Sequence, residues 1–180
     1  MLYAIRPEAA EMLPASSSTV QRWITTSYQK ERKEIERSLH QARSQIHYTL
    51  DMWTSPNHLG LLGIVAHFVD RQGQLNRALL ALREVEGVHS GENQCRTFVR
   101  VLGEYQIHHK TGYIMMDNAS NNDTFMEHLE IAQLDSGYCF NAGERRLRYG
   151  LLYSKRLITM KESQRLVHTL DTLLRIAFPS

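Results

Sequence analysis

Two apolar segments that each lead to an aspartate constrain the fold of this chain more than any other feature. In residues 46–52, Ile, Tyr, Leu and Met alternate with His, Thr and Asp, the period-two pattern of a strand with one apolar face, and Asp51 lies on the other face. Residues 113–116, Tyr-Ile-Met-Met, predict a short buried strand that ends just before Asp117. The two acids therefore lie at or near the ends of two predicted strands.

The segments between these acids predict how the strands are connected. Residues 61–69 are almost continuously apolar, as in a central strand, and a hairpin turn at 70–73 leads to a third strand over 75–85. Residues 90–105 predict an amphipathic helix with Ser90 as N-cap. A strand entered through a helix is most simply added parallel. The expected fold is α/β, a partial mixed sheet of an antiparallel three-strand meander plus a parallel strand with flanking helices. If the parallel strand lies beside the first, both acids face one crevice.

The rest of the chain predicts four segments in 180 residues. Residues 1–17 are expected to be a disordered lead-in and 18–45 a long helix, whose apolar stripe, with Trp23 and Tyr28, packs on the sheet or on a second copy. Residues 46–140 form the core, and 141–180 form a basic helical tail. A net charge of +2 means that any contact with nucleic acid depends on a local patch.

The chemistry expected of Asp51 and Asp117 is metal binding. Mg²⁺ prefers carboxylate oxygens and water, and a metal site of this kind can activate water and stabilise a leaving 3′-oxygen. The alternative is structural: Asp51 caps a strand end, Asp117 makes an Asx turn before a helix, and neither touches metal. No spacing singles out a third ligand among Asp123, Asp135 and Glu144.

Four blocks of sequence carry a further signal. They are residues 44–57 (Ser-Gln-Ile-His-Tyr-Thr-Leu-Asp-Met-Trp-Thr-Ser-Pro-Asn), 63–70, 86–93 and 117–124 (Asp-Asn-Ala-Ser-Asn-Asn-Asp-Thr). As a set, these blocks resemble the catalytic domain of hAT-superfamily DNA transposases. The resemblance implies a ribonuclease-H-like fold interrupted by a helical insertion, DNA cleavage and rejoining by three acids with Mg²⁺ or Mn²⁺, and a nuclear location. By motif position, Asp51 matches the first acid and Asp117 the second.

The chain also departs from that family. The resemblance places the third acid, a Glu, beyond the insertion, whereas this sequence ends at Ser180. The resemblance also implies a Cys and a His after Arg148, but residues 149–152 are Tyr-Gly-Leu-Leu. We therefore expect a truncated or domesticated fragment with weak metal binding and little or no DNA cleavage by itself. Two alternatives stay open: a non-catalytic module that binds DNA, a related transposase or its own copy, and a decayed reading frame altered after Arg148.

Weaker expectations concern ligands and location. Trp53 shares a face with Asp51 and would stack on a base or cover the junction of helix and sheet, and Arg145, Arg146 and Arg148 are weak candidates for DNA contacts. The sequence predicts no membrane span, no hydrophobic leader after Met1 and no small-molecule cofactor, and hence an intracellular protein that is not secreted.

Overall fold

The computed structural model describes residues 16–56, 58–117 and 119–148, with Arg148 described by its backbone alone. The elements are α1 (Ser17–His40), β1 (Ile46–Thr54), β2 (Gly60–Val69), β3 (Leu75–Glu84), α2 (Gly91–Tyr105), a 3-10 turn (His108–Lys110), β4 (Thr111–Met116), α3 (Asn121–Asp135), α4 (Ala142–Arg145) and β5 (Arg146–Arg148). Most of the predicted lead-in and the predicted tail from residue 149 onward lie outside the described residues. None of the helices described is long and apolar enough to cross a bilayer.

The strands form one mixed sheet in the order β3-β2-β1-β4-β5. The β1–β2 and β2–β3 pairs are antiparallel, and the β1–β4 pair is parallel. The β2–β3 hairpin closes because Asp70 Oδ1 accepts the N–H groups of Gln72 and Gln74 at 2.8 and 2.9 Å, while Gly73 adopts a positive φ of 83°. The predicted α/β class, with a meander and an added parallel strand, is confirmed.

A fifth strand extends the sheet beyond the predicted limit of the core at residue 140. Ile114 of β4 pairs in parallel with Arg146 of β5, so the segment from 141 to 148 belongs to the core and not to the tail. A short helix precedes β5, and the side chain of Asn141 caps it by accepting the N–H of Glu144 at 3.1 Å. A helix of four residues and a strand of three are too short to show a periodic pattern in sequence.

Helix α1 ends at His40, short of the predicted end at residue 45. The ammonium group of Lys110 donates to the carbonyl oxygens of Leu39, His40 and Ala42 at 3.1, 2.7 and 3.0 Å. These are carbonyl groups at a helix end that lack partners within the helix, and a cation is the natural group to satisfy them. Because Lys110 lies seventy residues from His40, the sequence around the helix end gives no indication of this contact.

The described residues fall in two compact units, one that includes residues 17–31 and one that includes residues 32–148. In the described part of the first unit, Trp23 and Tyr28 are 51% and 54% exposed. In the second unit, Leu39 is fully buried and Ile35 packs against the core. The expectation that the stripe around Trp23 packs on a second copy stays a prediction.

The core lies between one face of the sheet and helices α2 and α3. Tyr48 of β1 meets Phe98 of α2 edge to face at 5.0 Å between ring centres, and Phe98 meets Phe125 of α3 at 5.7 Å. Ser90 caps α2 as predicted, accepting the N–H of Asn93 at 3.2 Å. The two helices approach most closely at Gly91, where an added Cβ would lie 2.1 Å from the carbonyl oxygen of Asn121.

Candidate functional site

The register of the parallel strand pair brings the two predicted acids to one edge of the sheet. Thr49 of β1 pairs with Met115 of β4. Asp51 and Asp117 each follow two residues later, so they come level with each other just past the end of β4 and within the C-terminal half of β1. Strand ends of this kind are where open α/β sheets place their ligands.

Both acids line one cleft of about 240 Å³. Its other polar walls come from the end of β1, the segment before α2, and the starts of α2 and α3; they are Thr54, His89, Gln94, Asn121 and Asn122. Gln94 and Asn122 are only 4% exposed, so the amide groups at the back of the cleft are held by the fold. The site is concave and combines carboxylate, amide, hydroxyl and imidazole groups.

The two carboxyl groups differ in their surroundings. Burial raises the pKa of Asp51, and the negative charge of Asp117 raises it further. Asp117 is exposed, and its Oδ1 accepts the N–H of Ala119 at 3.1 Å and the amide of Asn122 at 2.6 Å. Within the described residues, neither carboxylate has an ion-pair partner. The strand ends therefore carry two acids that repel each other.

The hydrogen bond from Ala119 means that Asp117 does form the Asx turn that was the structural alternative to metal binding. That turn uses Oδ1, and no hydrogen bond within the described part of the chain reaches Oδ2 of Asp117 or either oxygen of Asp51. The turn and a ligand role are compatible, because the turn orients Asp117 and leaves its other oxygen available.

Two glycines let aromatic rings line this end of the sheet. Gly63 lies directly across from Asp51, and an added Cβ there would lie 3.2 Å from the ring of Trp53. Gly60 contacts the ring of His89 in the same way, since its Cβ would lie 2.1 Å from Nε2. Trp53 therefore borders the cleft, as its alternation with Asp51 predicted.

The predicted arginines lie elsewhere and make contacts within the fold. Arg145 donates to the Gln45 side chain and to the Thr111 carbonyl at 2.6 and 2.9 Å, and Arg146, with a side chain only 8% exposed, pairs with Asp123. These contacts give no support to DNA binding by either guanidinium group. The side chain of Arg148 lies outside the described atoms, and its role stays a prediction.

No third acid joins the cleft among the residues that the structure describes. Asp123 pairs with Arg146, and neither Asp135 nor Glu144 lines the cleft. No group of three potential metal-ligating side chains occurs in the described ranges. Sequence reasoning missed Gln94 and Asn122 as walls of the site. The pair of Asn residues at the start of α3 was the available signal for Asn122, and Gln94 had none.

Comparison with known proteins identifies the family. Residues 49–143, more than half of the chain, match the family of the ZBED1 RNase-like domain. The chain is 28% identical over 108 residues to a putative AC transposase of Zea mays, and this match covers 60% of this chain and 13% of that protein. It is 27% identical over 124 residues to the putative transcriptional regulator tpeD of Talaromyces stipitatus, covering 68% of this chain and 14% of that protein.

A third relative is the zinc finger BED domain-containing protein RICESLEEPER 2 of Oryza sativa subsp. japonica, 23% identical over 112 residues, or 62% of this chain and 16% of that protein. The chain thus spans only about one seventh of the length of these relatives. The matched region contains both acids, helix α2 and the start of α3. The chain therefore belongs to the family of the ZBED1 RNase-like domain and is a hAT-family, transposase-derived protein.

Proposed function

We propose that the cleft at the ends of β1 and β4 binds Mg²⁺ or Mn²⁺ through Asp51 and Asp117, as part of a site for DNA cleavage and strand transfer. We propose further that this chain alone does not complete the site. The observation that carries the proposal is the convergence of the two acids on one cleft at the ends of adjacent parallel strands.

The residues of the cleft fit a hard divalent cation. Two carboxylates that repel each other, one of them half-buried, gain most from a bound cation. Its charge would offset both the burial and the repulsion by Asp117 that raise the pKa of Asp51. Mg²⁺ binds one or two carboxylates and keeps several water ligands. A cleft of about 240 Å³ has room for the ion and these waters. The side-chain oxygens of Thr54 and Asn121 supply further neutral acceptors.

The chain's own residues would hold and orient the reacting groups. A bound cation of this type supplies an activated water and stabilises a leaving 3′-oxygen. Asp51 and Asp117 fix its position, and Asn122 fixes the carboxylate of Asp117 by the hydrogen bond at 2.6 Å. Trp53 lines the cleft, and its ring lies against Gly63 of β2. In-line phosphoryl transfer requires fixed metal geometry. Because no third acid joins the two in the cleft among the described residues, we expect weak binding and little cleavage.

The test is a calorimetric titration of the purified chain with Mn²⁺. Asp51→Asn and Asp117→Asn should each abolish binding while circular dichroism shows an intact fold. Asp135→Asn is the matched control, because Asp135 is an exposed acid outside the cleft, and it should bind as the wild type does. A well-folded wild type that binds no Mn²⁺ would refute the metal proposal. Robust cutting of plasmid DNA with Mn²⁺, lost in Asp51→Asn, would refute the proposal that the chain is incomplete.

The named relatives support a DNA-associated role in the nucleus. They are described as transposases, a transcriptional regulator and BED zinc finger proteins, and on that ground we propose DNA as a partner of this chain and the nucleus as its location. A second candidate function is a non-catalytic interaction module, favoured by the exposure of Trp23 and Tyr28. For such a module, Asp51→Asn would leave partner binding unchanged and Trp23→Ala would weaken it.

A further inference from the structure

A row of basic side chains crosses the face of the sheet that points away from the core. His47 of β1 lies directly across from His67 of β2, and His67 lies directly across from Arg77 of β3. Their neighbours Tyr48 and Ala66 point to the opposite face and are buried in the core. Adjacent strands lie about 4.8 Å apart, so the three residues span roughly 10 Å across three strands.

The hydrogen bonds of His47 determine which of its ring nitrogens faces outward as a donor. The backbone N–H of Tyr113 donates to Nδ1 of His47 at 3.0 Å, and the Tyr113 ring stacks on the imidazole at 5.4 Å between ring centres. A backbone N–H can only donate, so Nδ1 must be unprotonated and the proton of the neutral ring lies on Nε2. His47 thus keeps an Nε2–H group for a ligand.

The nearest charges that act on the two histidines are positive, although Glu34 and Asp70 line the same cavity as Arg77. Burial and the guanidinium group of Arg145 lower the pKa of His47. The pKa of His67 is lowered most by burial, then by the charge of Arg77 and then by His47. Arg77 is exposed and has no ion-pair partner in the described part of the chain. A field from two arginines disfavours a cation at this face and favours an anion.

We propose that His47, His67 and Arg77 form a binding site for a phosphoryl anion, separate from the acidic cleft. A phosphate group accepts several hydrogen bonds at once, and the row offers the guanidinium fork of Arg77 together with imidazole N–H donors in one line. Asp51 follows His47 by four residues on the same strand face, roughly 13 Å away, so the two sites have opposite charge and do not overlap. The proposal does not depend on metal binding in the cleft.

His67 is the member of the row that can gain a proton when the anion binds. Its Nε2 lies 3.0 Å from the hydroxyl of Thr49, which can accept a hydrogen bond, whereas protonation of His47 would break its bond with the Tyr113 N–H. The groups that face His67 are Arg77 from β3 and His47 and Thr49 from β1. Because a bound anion offsets the positive field of these groups, it favours protonation of His67. Affinity should therefore rise as the pH falls toward the pKa of His67, which lies below the usual histidine value of 6.5.

The experiment titrates the full chain with pyrophosphate and, separately, with a short single-stranded oligonucleotide, and follows the imidazole signals of His47 and His67 by NMR. Arg77→Gln should weaken binding about fivefold, the loss expected for one charge-assisted hydrogen bond. Arg100→Gln is the matched control, because Arg100 is an exposed arginine on α2, which packs on the opposite face of the sheet, and the substitution changes the net charge equally. His67→Gln should remove the rise in affinity between pH 7.5 and 5.5.

The two ligands distinguish the source of the phosphoryl group. Binding of pyrophosphate with shifts at both histidines assigns the row to small phosphates, and binding of the oligonucleotide alone with the same shifts assigns it to a nucleic-acid backbone. The proposal is overturned if neither ligand shifts these signals, or if Arg100→Gln and Arg77→Gln weaken binding equally, since that would indicate nonspecific attraction to charge.

Discussion

Replacing Gly91 by alanine should destabilise the protein, because helices α2 and α3 meet there with no room for a side chain. An added Cβ would lie 2.1 Å from the carbonyl oxygen of Asn121 and 2.6 Å from the backbone nitrogen of Phe125. Both neighbours are backbone atoms in the first turns of α3, so neither can rotate away as a side chain would. The start of α3 would have to move by roughly 1 Å to restore ordinary contact.

The expected cost is about 3 kcal/mol. Overpacking a well-packed core typically costs about 1–3 kcal/mol, and a clash with immobile backbone belongs at the upper end of that range. The shift would also disturb the hydrogen bond of 2.6 Å between Asn122 and Asp117, because Asn122 lies beside the contact. The same substitution should therefore weaken any Mn²⁺ binding in the cleft.

Gly103→Ala in the same helix is the matched control. A Cβ at Gly103 would meet only Nε2 of His108, at 3.5 Å, which is ordinary contact, and the residue is exposed. Alanine is favoured over glycine in a helix by up to about 1 kcal/mol, so this variant should be more stable than the wild type. Urea denaturation at pH 7 measures both free energies of unfolding, with an expected difference of about 4 kcal/mol between the variants. If Gly91→Ala unfolds at the same urea concentration as the wild type, the close contact of α2 and α3 is wrong.

Two further substitutions test the electrostatics of the fold. Asp51→Asn should raise the free energy of unfolding at pH 7 in EDTA. Burial and Asp117 raise the pKa of Asp51 in the folded state, so ionising this carboxyl destabilises the folded protein. That penalty develops as the pH rises above the unfolded pKa of 3.8 and is absent below 3.8. Equal stability of variant and wild type across a pH series of thermal melts would argue against that penalty. Lys110→Met should lower the free energy of unfolding by about 2 kcal/mol, because the ammonium group of Lys110 donates to three carbonyl oxygens at the end of α1. Lys33→Met, on the exposed side of α1, should change it little when measured by the same thermal melts.

The strands and the cap of α2 were predictable because their signals are local. Alternation of apolar and polar residues identifies β1, and Ser90 before an amphipathic stretch identifies the start of α2. The β4–β5 pair was not predictable, since β5 has three residues and is defined by its partner. The end of α1 was misplaced for a related reason: Lys110, seventy residues away, supplies the hydrogen bonds that terminate the helix.

The sequence alone determined the fold class, the family resemblance and the choice of Asp51 and Asp117, because strand alternation and motif spacing are properties of neighbouring residues. Tertiary structure decided which of the predicted site residues share a cleft. Arg145, at the end of α4, and Arg146, at the start of β5, contact Thr111 and Asp123 within the fold, while Gln94 reaches the cleft from α2. The row of His47, His67 and Arg77 likewise exists only through strand pairing, since register places residues far apart in sequence directly across from one another.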